Sequence, residues 1–410
     1  MTITPTETNI SNLRDPSGSQ RLTPWRKLIL PIFIFCLVLG SIGMVMRLVN
    51  GHLNAGYGSY VPWGLWIAIY FHGVGIAAGA FAIAAVGYLF RFKGFQTRNS
   101  LRITTVIVAA SMLPGLLAVA LDLGQPLRAY RILFNPSFTS MMAFNSWMYL
   151  LLLAICAAVW FLSYQPDNGW LRPFLILGAL TSIMIPSQSG AFLGVVDAKP
   201  YWNNALLPIM MLVSALVAGA AVLIIVRALV GDGGWAGVSE LKETALDSLR
   251  VLRKVMLFGL FAYFLMVFAK LSIAIWNPQG KLPEITLLLF GPYWWVFWIV
   301  NLLIGGIIPI VLLLSSRPTL WIYSGIIITT AFISARLDVL IPGQAVGLLK
   351  GLQTAYSHPR LSYLYNPTLM EYFVAMFILA MGIAILYIGL RTTSNLAIRN
   401  SRKEEINVID

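Results

Sequence analysis

The stretch ALLPIMMLVSALVAGAAVLIIVRAL, residues 205–229, contains one charged side chain, that of Arg227. As a helix rising about 1.5 Å per residue, it is long enough to cross roughly 30 Å of hydrocarbon. Similar runs are continuous instead of alternating every second residue, which argues against a β-barrel. The sequence therefore predicts an all-α integral membrane protein with about ten transmembrane helices packed as bundles. The other nine runs are 28–48, 62–90, 102–122, 140–163, 173–194, 254–276, 286–314, 319–341 and 369–391.

The composition fits a chain whose solvent is the bilayer. Hydrophobic residues make up 59% of the 410 residues and charged residues only 10%, with a mean hydropathy of +0.81. A soluble surface would need roughly three times as many charges, so a soluble enzyme, a secreted domain and a disordered chain are excluded. Both cysteines, Cys36 and Cys156, lie inside apolar runs. No disulfide scaffold and no cysteine-ligated metal are expected in this chain.

The basic residues indicate how the chain crosses the membrane. The formal net charge is +13, but Lys and Arg flank the apolar runs and form no separate domain, so nucleic acid is not an expected partner. Most of them lie on the inner side if the N-terminus is inside, which predicts that both termini face the cytoplasm. The expected organisation is a cytoplasmic tail at 1–27, a transmembrane domain at 28–392 and a second cytoplasmic tail at 393–410.

The inner loop from 231 to 254 has an apolar pattern of its own. The spacing predicts either an amphipathic helix lying in the membrane interface or a plain linker, and the sequence leaves both open. The apolar residues at helical spacing are Val238, Leu241, Ala245, Leu249 and Leu252.

Polar side chains inside the apolar runs are the candidate functional residues, because an ionisable group within a bilayer costs at least a few kcal/mol unless it is paired or hydrated. In this topology they lie in the outer parts of their helices, whereas the inner halves are nearly all Leu, Ile, Val and Ala. The sequence therefore predicts one polar pocket that opens to the outer leaflet, lined by helix ends rich in Trp and Tyr. The polar members are His72, Asp122, Asn145, Gln188, Ser189, Lys270, Arg336, Asp338 and Glu371.

Such a pocket suits a quinone, which has two carbonyls that accept hydrogen bonds, needs two protons for reduction and keeps its tail in lipid. Asp122 is the strongest candidate for exchanging a quinone proton, since an apolar helix leads directly into it and no adjacent base pairs with it in sequence. His72 and Gln188 are expected to hydrogen-bond the head group or line its pocket. Arg336 and Glu371 are expected to form a second polar set. Further residues expected at the quinone pocket are Trp63, Asn145 and Ser189.

His72 and the polar run that follows Pro186 also have purely structural interpretations. His72 shares a helix face with Gly75 and Gly79, a pattern typical of a close helix crossing. Pro186 frees a backbone carbonyl, and the polar run Ser187–Ser189 is able to satisfy that kink.

The C-terminal candidates have structural interpretations too. Thr368 and Glu371 match the T-x-x-E capping box at the start of a helix. Arg336 and Asp338 are able to pair with each other, and Lys270 is able to extend outward to the interface.

The sequence lacks the ligands and loops of several other cofactors. A membrane haem normally needs pairs of histidines on helices, and of His52, His72 and His358 only His72 lies well inside an apolar run. No nucleotide-binding loop or zinc signature is present. The chain is therefore expected to hold no haem, no metal and no redox centre of its own.

Short motifs recur along the chain: YVPWGLWIA at 60–68, the Gly-rich 73–81, LDLGQP at 121–126, FNP at 134–136, GAFLG at 190–194, PYWN at 200–203, LLP at 206–208, ARL at 335–337 and YNPT at 365–368, followed by Glu371. Together these motifs resemble the NrfD/PsrC family of membrane subunits. The resemblance covers about residues 58–392, and the combination is specific although no single motif is. Its C-terminal part resembles the ten-helix branch that includes the membrane subunit of hydrogenase-2-type enzymes.

The resemblance implies a haem-free subunit of a bacterial or archaeal cytoplasmic membrane that binds menaquinone or ubiquinone. Its implied partners on the outer face are a ferredoxin-like iron–sulfur subunit and a catalytic subunit, a molybdopterin enzyme or a hydrogenase. The family's quinone pocket lies near the outer face and uses the Asp that matches Asp122. Two positions depart from the pattern. Gln188 stands where the polysulfide reductase branch has Tyr, and Lys270 stands where hydrogenase-2-type relatives have an acidic residue.

Two other classes of protein remain open from the sequence. A polytopic transporter or proton channel also has about ten helices, intramembrane charges and helices broken by Pro and Gly. A transporter is expected to present polar groups across the whole membrane, whereas the polar groups here are confined to one half. A structural anchor whose pocket has lost activity is the third interpretation.

Overall fold

The computed structural model describes residues 24–409 apart from 136, 166–168, 231–242, 277–281, 348, 350, 352–357 and 359–360. Most of the predicted tail at 1–27 lies outside the described residues. Helices make up the architecture of the described part. They are α1 (Pro24–Asn50), α2 (Leu65–Leu89), α3 (Arg98–Asp122), α4 (Arg131–Phe134), α5 (Met141–Leu162), α6 (Leu171–Gly194), α7 (Leu207–Val230), α8 (Glu243–Trp276), α9 (Leu282–Leu289), α10 (Val296–Leu314), α11 (Pro318–Ala331), α12 (Ser334–Ala345) and α13 (Leu369–Ile409).

Ten stretches within the described residues are long and apolar enough to cross a membrane, which confirms the predicted all-α fold with ten spans. Each span overlaps one of the predicted runs. Nine are single helices, and the tenth stretch, Pro318–Ala345, consists of α11 and α12 in succession.

Eight of the spans form two four-helix groups, and the other two, α1 and α13, form a separate pair. Helices α2, α3, α5 and α6 contact one another in a closed ring, and α7, α8, α10 and α11 form a second ring. Helix α7 joins the rings by packing against both α2 and α6, while α1 and α13 pack against each other and α13 also packs on α3. This arrangement makes α2 the central helix, and it is buried along most of its length.

Close helix crossings depend on glycine at two positions in particular. A Cβ on Gly79 of α2 would overlap the backbone oxygen of Ala215 in α7, so no larger residue fits this crossing. A Cβ on Gly40 of α1 would lie 2.5 Å from the backbone nitrogen of Phe377 in α13. Small residues let helix backbones approach closely where lipid supplies no hydrophobic driving force. The structure thus confirms the glycine face of α2 as a crossing.

Three predicted boundaries change in the structure. The run 286–314 is interrupted at residues 290–293, where Gly291 and Pro292 separate α9 from α10. The run 319–341 is not one continuous helix, because α11 ends at Ala331 and α12 begins at Ser334. The predicted interfacial segment 231–254 lies partly outside the described residues, and from Glu243 onward it is the first part of the spanning helix α8.

Candidate functional site

Asp122 is the last residue of α3, at the predicted outer end, where α13 packs on α3 and Arg47 of α1 bonds the carbonyl of Leu121. Its carboxyl group is close enough to Glu371 and Arg47 to interact with both electrostatically. One of its oxygens is buried and has no hydrogen-bond partner among the described residues. A carboxyl oxygen in this state is able to accept a hydrogen bond from a ligand or to carry a proton.

Arg47 supports the end of α3 and leads to a second titratable group. Its Nε donates to the carbonyl of Leu121 at 2.9 Å, and its Nη2 lies 2.8 Å from Nε2 of His52. His52 Nδ1 lies 2.6 Å from the Tyr57 hydroxyl. Burial, followed by the Asp122 carboxyl, raises the pKa of the Tyr57 hydroxyl, and Arg47 acts in the opposite direction. The Tyr57 hydroxyl therefore stays protonated beside Asp122 at neutral pH.

Glu371 anchors the start of α13 and lies in the same group as Asp122. Its Oε2 accepts hydrogen bonds from the Tyr365 hydroxyl at 2.9 Å and the Thr368 amide at 3.0 Å, and its Oε1 accepts one from the Gly56 amide at 3.3 Å. The bond to Thr368 confirms the glutamate half of the predicted capping box. Glu371 is thus placed with Asp122 and not with Arg336. We call this group the outer-end cluster: Arg47, His52, Tyr57, Asp122, Tyr365 and Glu371.

A second polar group surrounds the break between α11 and α12. Because α11 ends at Ala331, its last backbone carbonyls have no helical N–H to accept from. Side-chain donors bond two of these carbonyls instead. His72 Nε2 donates to the carbonyl of Thr329 at 2.9 Å, and the Ser334 hydroxyl donates to that of Ala331 at 2.6 Å. Because a carbonyl only accepts, the proton of a neutral His72 ring is on Nε2. The buried Nδ1 has no partner among the described residues.

Arg336 is buried next to His72 but makes no ion pair in the described part of the chain. Its Nη1 donates to the sulfur of Met211, and a Cβ on Gly75 would lie 3.1 Å from its Nη2. The glycine face of α2 therefore also makes room for a guanidinium. The predicted pairing with Asp338 is wrong, because side chains two positions apart on a helix point in different directions.

Asp338 lies on the other side of the same helix, facing α10 and α8. Its carboxylate accepts a hydrogen bond from the Asn301 amide, which also donates to the Tyr263 hydroxyl at 3.2 Å. Asn301 is in the π-helical part of α10, Val296–Ile307. Wide turns of this kind occur often at functional sites.

Proline and lysine complete this second group. Pro342 lacks the N–H that would bond the carbonyl of Asp338, and the Tyr201 hydroxyl donates to that carbonyl at 2.6 Å. Lys270 is buried, with its Nζ 3.6 Å from the centre of the Tyr201 ring, so it does not extend outward to the interface. We call this group the helix-break cluster: His72, Tyr201, Tyr263, Lys270, Asn301, Arg336 and Asp338.

Two of the remaining candidates, Asn145 and Ser189, lie between α2, α5 and α6. The hydroxyls of Tyr70 and Tyr149 are hydrogen-bonded to each other, and Ser189 lies close to Tyr149. Asn145, one turn from Tyr149, is buried with its side-chain oxygen unpartnered among the described residues. Gln188 is half-buried and makes no hydrogen bond to any described residue.

The hydroxyls that follow Pro186 act on the helix itself. Ser187 and Ser189 donate to the carbonyls of Ile183 and Ile185, both at 2.9 Å. Neither serine bonds the carbonyl of Ser182, which is the one that Pro186 frees, so these bonds do not satisfy the kink in the way the structural interpretation expects.

Trp63 belongs to an aromatic group at the predicted outer surface. Its ring stacks on that of Trp202 with 5.7 Å between centroids, and Phe192 lies against it. Its amide and carbonyl bond the side-chain amide of Gln344 at 3.0 and 3.1 Å. Trp63 therefore fixes the start of α2 to the end of α12.

A cavity of about 130 Å³ lies between the two clusters, with Tyr365 of the first and Asp338 of the second both in its wall. Trp295 and Tyr372, which are partly exposed, form another part of the wall. The predicted candidates thus do not all meet in one pocket. Asp122 with Glu371, His72 with Arg336, and Asn145 with Ser189 occupy separate places.

Several residues of these groups were not singled out from the sequence. Arg47, Tyr57, Tyr149, Tyr201 and Asn301 all direct polar atoms inward in the structure. A usable signal was present for Tyr201, because Pro342 predicts a free carbonyl that needs a donor. No comparable signal marks Asn301, whose position depends on the π-helical turn.

Ten apolar spans arranged around two four-helix rings define a multi-pass membrane protein. The chain belongs to the family described as "Polysulphide reductase, NrfD", whose model matches residues 54–347. The match includes Asp122 and the whole helix-break cluster, while Arg47, His52 and Glu371 lie outside it.

Proteins similar to this chain include named subunits of reductases and of a menaquinol oxidoreductase. A selenate reductase subunit of Mesobacillus selenatarsenatis is 29% identical over 92% of this chain and 96% of its own length. The Hdr-like menaquinol oxidoreductase integral membrane subunit of Archaeoglobus fulgidus is 25% identical over 82% of this chain and 85% of its own length. A tetrathionate reductase subunit of Salmonella typhimurium is 29% identical over 40% of this chain and 49% of its own length.

Proposed function

We propose that this protein is the quinone-reactive membrane anchor of a respiratory oxidoreductase complex. It exchanges electrons between menaquinone or ubiquinone in the bilayer and an iron–sulfur subunit. Family membership and similarity over most of the chain to subunits named for a reductase and a menaquinol oxidoreductase support this role.

The observation that carries the proposal is the state of Asp122. Its buried oxygen is free among the described residues, and it stands where an apolar helix, α3, ends at the predicted outer end of the membrane. A second carboxyl, that of Glu371 at the start of α13, lies nearby. A structural carboxylate in such a place is normally fully hydrogen-bonded. An unpaired one is suited to exchange protons with a ligand.

The cavity beside Tyr365 suits the head ring of an amphiphile. Its volume of about 130 Å³ is below the roughly 300–1,000 Å³ of sites that enclose whole small molecules, so an isoprenoid tail would remain in lipid. A bound quinone supplies carbonyls that accept two electrons and two protons. Glu371 and Tyr365 connect the cavity wall to Asp122, and Asp338 is the carboxylate on its other side.

The other candidate residues have secondary roles in this proposal. His72 and Arg336 stabilise negative charge near the second ring of helices. Asn145, Gln188 and Ser189 line the polar interior of the first ring. Trp63 holds the surface loop in place. Electrons are exchanged with a ferredoxin-like iron–sulfur subunit, joined to a molybdopterin enzyme or hydrogenase, on the outer face of a bacterial or archaeal cytoplasmic membrane.

The substitution D122N tests the proposal in the assembled complex. We expect turnover with a short-chain menaquinol or ubiquinol analogue to fall by roughly 10²–10⁴-fold, the usual contribution of a positioned acid or base. Thermal stability should be unchanged, since the amide has the same shape. The matched control is D197N, an Asp in the loop after α6 that is exposed. Unchanged turnover in D122N would remove the aspartate from the mechanism and favour the structural anchor.

A second candidate function, proton transfer across the membrane, is favoured by the broken helix. Buried titratable groups beside a discontinuous span are typical of transporters. In liposomes containing the full chain, a proton channel would produce a pH gradient collapse that H72Q abolishes, with no quinone present. A leak equal to that of empty liposomes would exclude this function for the isolated chain.

A further inference from the structure

A second, larger cavity lies at the opposite end of the molecule from the candidate site. It occupies about 590 Å³ between the end of α2 and the start of α6, on the predicted cytoplasmic side. The residues in its wall are Tyr88, Leu89, Arg91, Gln96, Gly169, Leu171 and Arg172. None of these residues takes part in the proposed quinone chemistry.

Two guanidinium groups of this cavity are available for a ligand. Arg91 and Arg172 are exposed, and within the described ranges neither guanidinium makes a hydrogen bond or ion pair. Two neighbouring arginines behave differently. Arg102 donates to the carbonyl and hydroxyl of Ser163, and Arg98 donates to the carbonyl of Gln165, so both stabilise the loop after α5.

Arg91 also has an unfavourable backbone conformation. Its φ is +56°, in the left-handed region, and the Phe92 amide donates to the carbonyl of Gly87 at 2.8 Å to end α2. Helices that end in this way normally have glycine at the left-handed position, because a Cβ there is strained. Three residues later, at φ +80°, the chain does have glycine, Gly94. The arginine side chain is therefore present at a position that disfavours it.

The position of the cavity along the membrane normal and the residues around it indicate which class of ligand it binds. Helix ends that have just left the hydrocarbon region lie at the height of lipid head groups. Phe90 and Trp170 beside the cavity are 71% and 67% exposed, as aromatic residues at a membrane interface are. Arginine binds phosphate through two parallel hydrogen bonds. A cavity of this volume also exceeds the needs of a free phosphate ion and lies within the range of sites for organic ligands.

We propose that this cavity binds the phosphate-bearing head group of an anionic glycerophospholipid from the cytoplasmic leaflet. Arg91 and Arg172 hold the phosphate from two sides, and the exposed aromatic rings contact the glycerol and upper acyl region. Two unpaired positive charges select an anionic lipid over a zwitterionic one, because the ammonium of a zwitterionic head group would be repelled.

The experiment is native mass spectrometry of the detergent-purified full chain titrated with phosphatidylglycerol, cardiolipin or phosphatidylethanolamine. We expect R91Q/R172Q to weaken binding of the two anionic lipids roughly thirtyfold and either single variant about fivefold. The control K93Q/K254Q removes two exposed charges from the same side without altering the cavity. Equal losses in this control, or unchanged affinity in R91Q/R172Q, would overturn the proposal. So would competition by low millimolar inorganic phosphate, which would indicate a free-phosphate site.

The variant R91G separates binding from folding. Glycine relieves the left-handed strain, so its thermal midpoint should equal or exceed that of the native chain, while anionic-lipid affinity falls as in R91Q. If R91G were as stable as the native chain and also bound anionic lipid as tightly as the native chain, Arg91 would act only on the fold. That result would refute the lipid site.

Discussion

The outer-end cluster and the helix-break cluster both collect polar side chains in the predicted outer half of the membrane, but they are built differently. Arg47, Glu371 and their partners bond backbone groups of helix ends and of the loop before α2. In the helix-break cluster, the side chains bond carbonyls within the span that a break and a proline have released. One cluster closes the ends of helices, and the other replaces hydrogen bonds inside the membrane.

This difference indicates at which residues a substitution changes function alone and at which it also lowers the stability of the fold. Asp122 of the outer-end cluster is partly exposed and has one oxygen without a hydrogen-bond partner among the described residues, so its substitution leaves few groups stranded. A residue of the helix-break cluster has only protein or lipid around it, where an unsatisfied polar group costs several kcal/mol. Asp122 is therefore open to substitution without unfolding the chain, whereas Asp338 is not.

The same substitution at the two aspartates gives the largest expected contrast. D338L should lower the free energy of unfolding by about 3–5 kcal/mol, because the buried Asn301 amide and the nearby Lys270 ammonium lose their carboxylate. D122L should cost less than about 1 kcal/mol, as for a partly exposed charge. Unfolding by SDS in mixed micelles measures both. Equal costs would show that the two clusters are held in the same way.

A smaller effect is expected at the carbonyl that Pro342 releases. Y201F should cost about 1–3 kcal/mol, because the carbonyl of Asp338 loses its donor. In the background P342A, the new N–H is able to bond that carbonyl, so the cost of Y201F should fall below about 1 kcal/mol. This double-mutant cycle, measured by thermal unfolding, yields no coupling if the tyrosine acts only through its ring.

The smallest expected effect belongs to the outer-end cluster. E371Q keeps an acceptor for Tyr365 and Thr368, but it removes a negative charge from the start of α13 and turns an N–H2 towards the Gly56 amide, which should cost about 1 kcal/mol. The thermal midpoint of the purified chain measures it. A loss as large as that of D338L would mean that the outer-end cluster also carries the fold.

Continuous apolar runs were sufficient to predict the ten spans, since bilayer thickness fixes how long such runs must be. The break at Phe332 and Ile333 was not predictable, because no glycine or proline stands there and Pro342 comes ten residues later. The interruption at Gly291 and Pro292 did carry a sequence signal, a dipeptide that commonly marks turns. Helix length is a local property, whereas a break in a span depends on side chains elsewhere that satisfy it.

The positions of the candidate residues along their helices were predictable from the sequence, but their grouping was not. His72 and Asp122 were both correctly assigned to helices, yet one faces the break near Thr329 and the other faces Glu371. Sequence position gives the height of a side chain in the membrane. The direction it faces depends on which helices pack beside it, and distant parts of the chain decide that packing.

The antiparallel contact of α1 with α13 has a consequence for synthesis of the chain. The glycine of α1 that receives the backbone of Phe377 leaves the ribosome more than three hundred residues before its partner does. At roughly 5–20 residues per second, this interval is on the order of 15–60 s. During that time the groove of the first span faces lipid or an insertion factor. The last span to be made thus completes the surface of the first, and a nascent chain stalled before α13 would display an unfinished helix interface to the membrane.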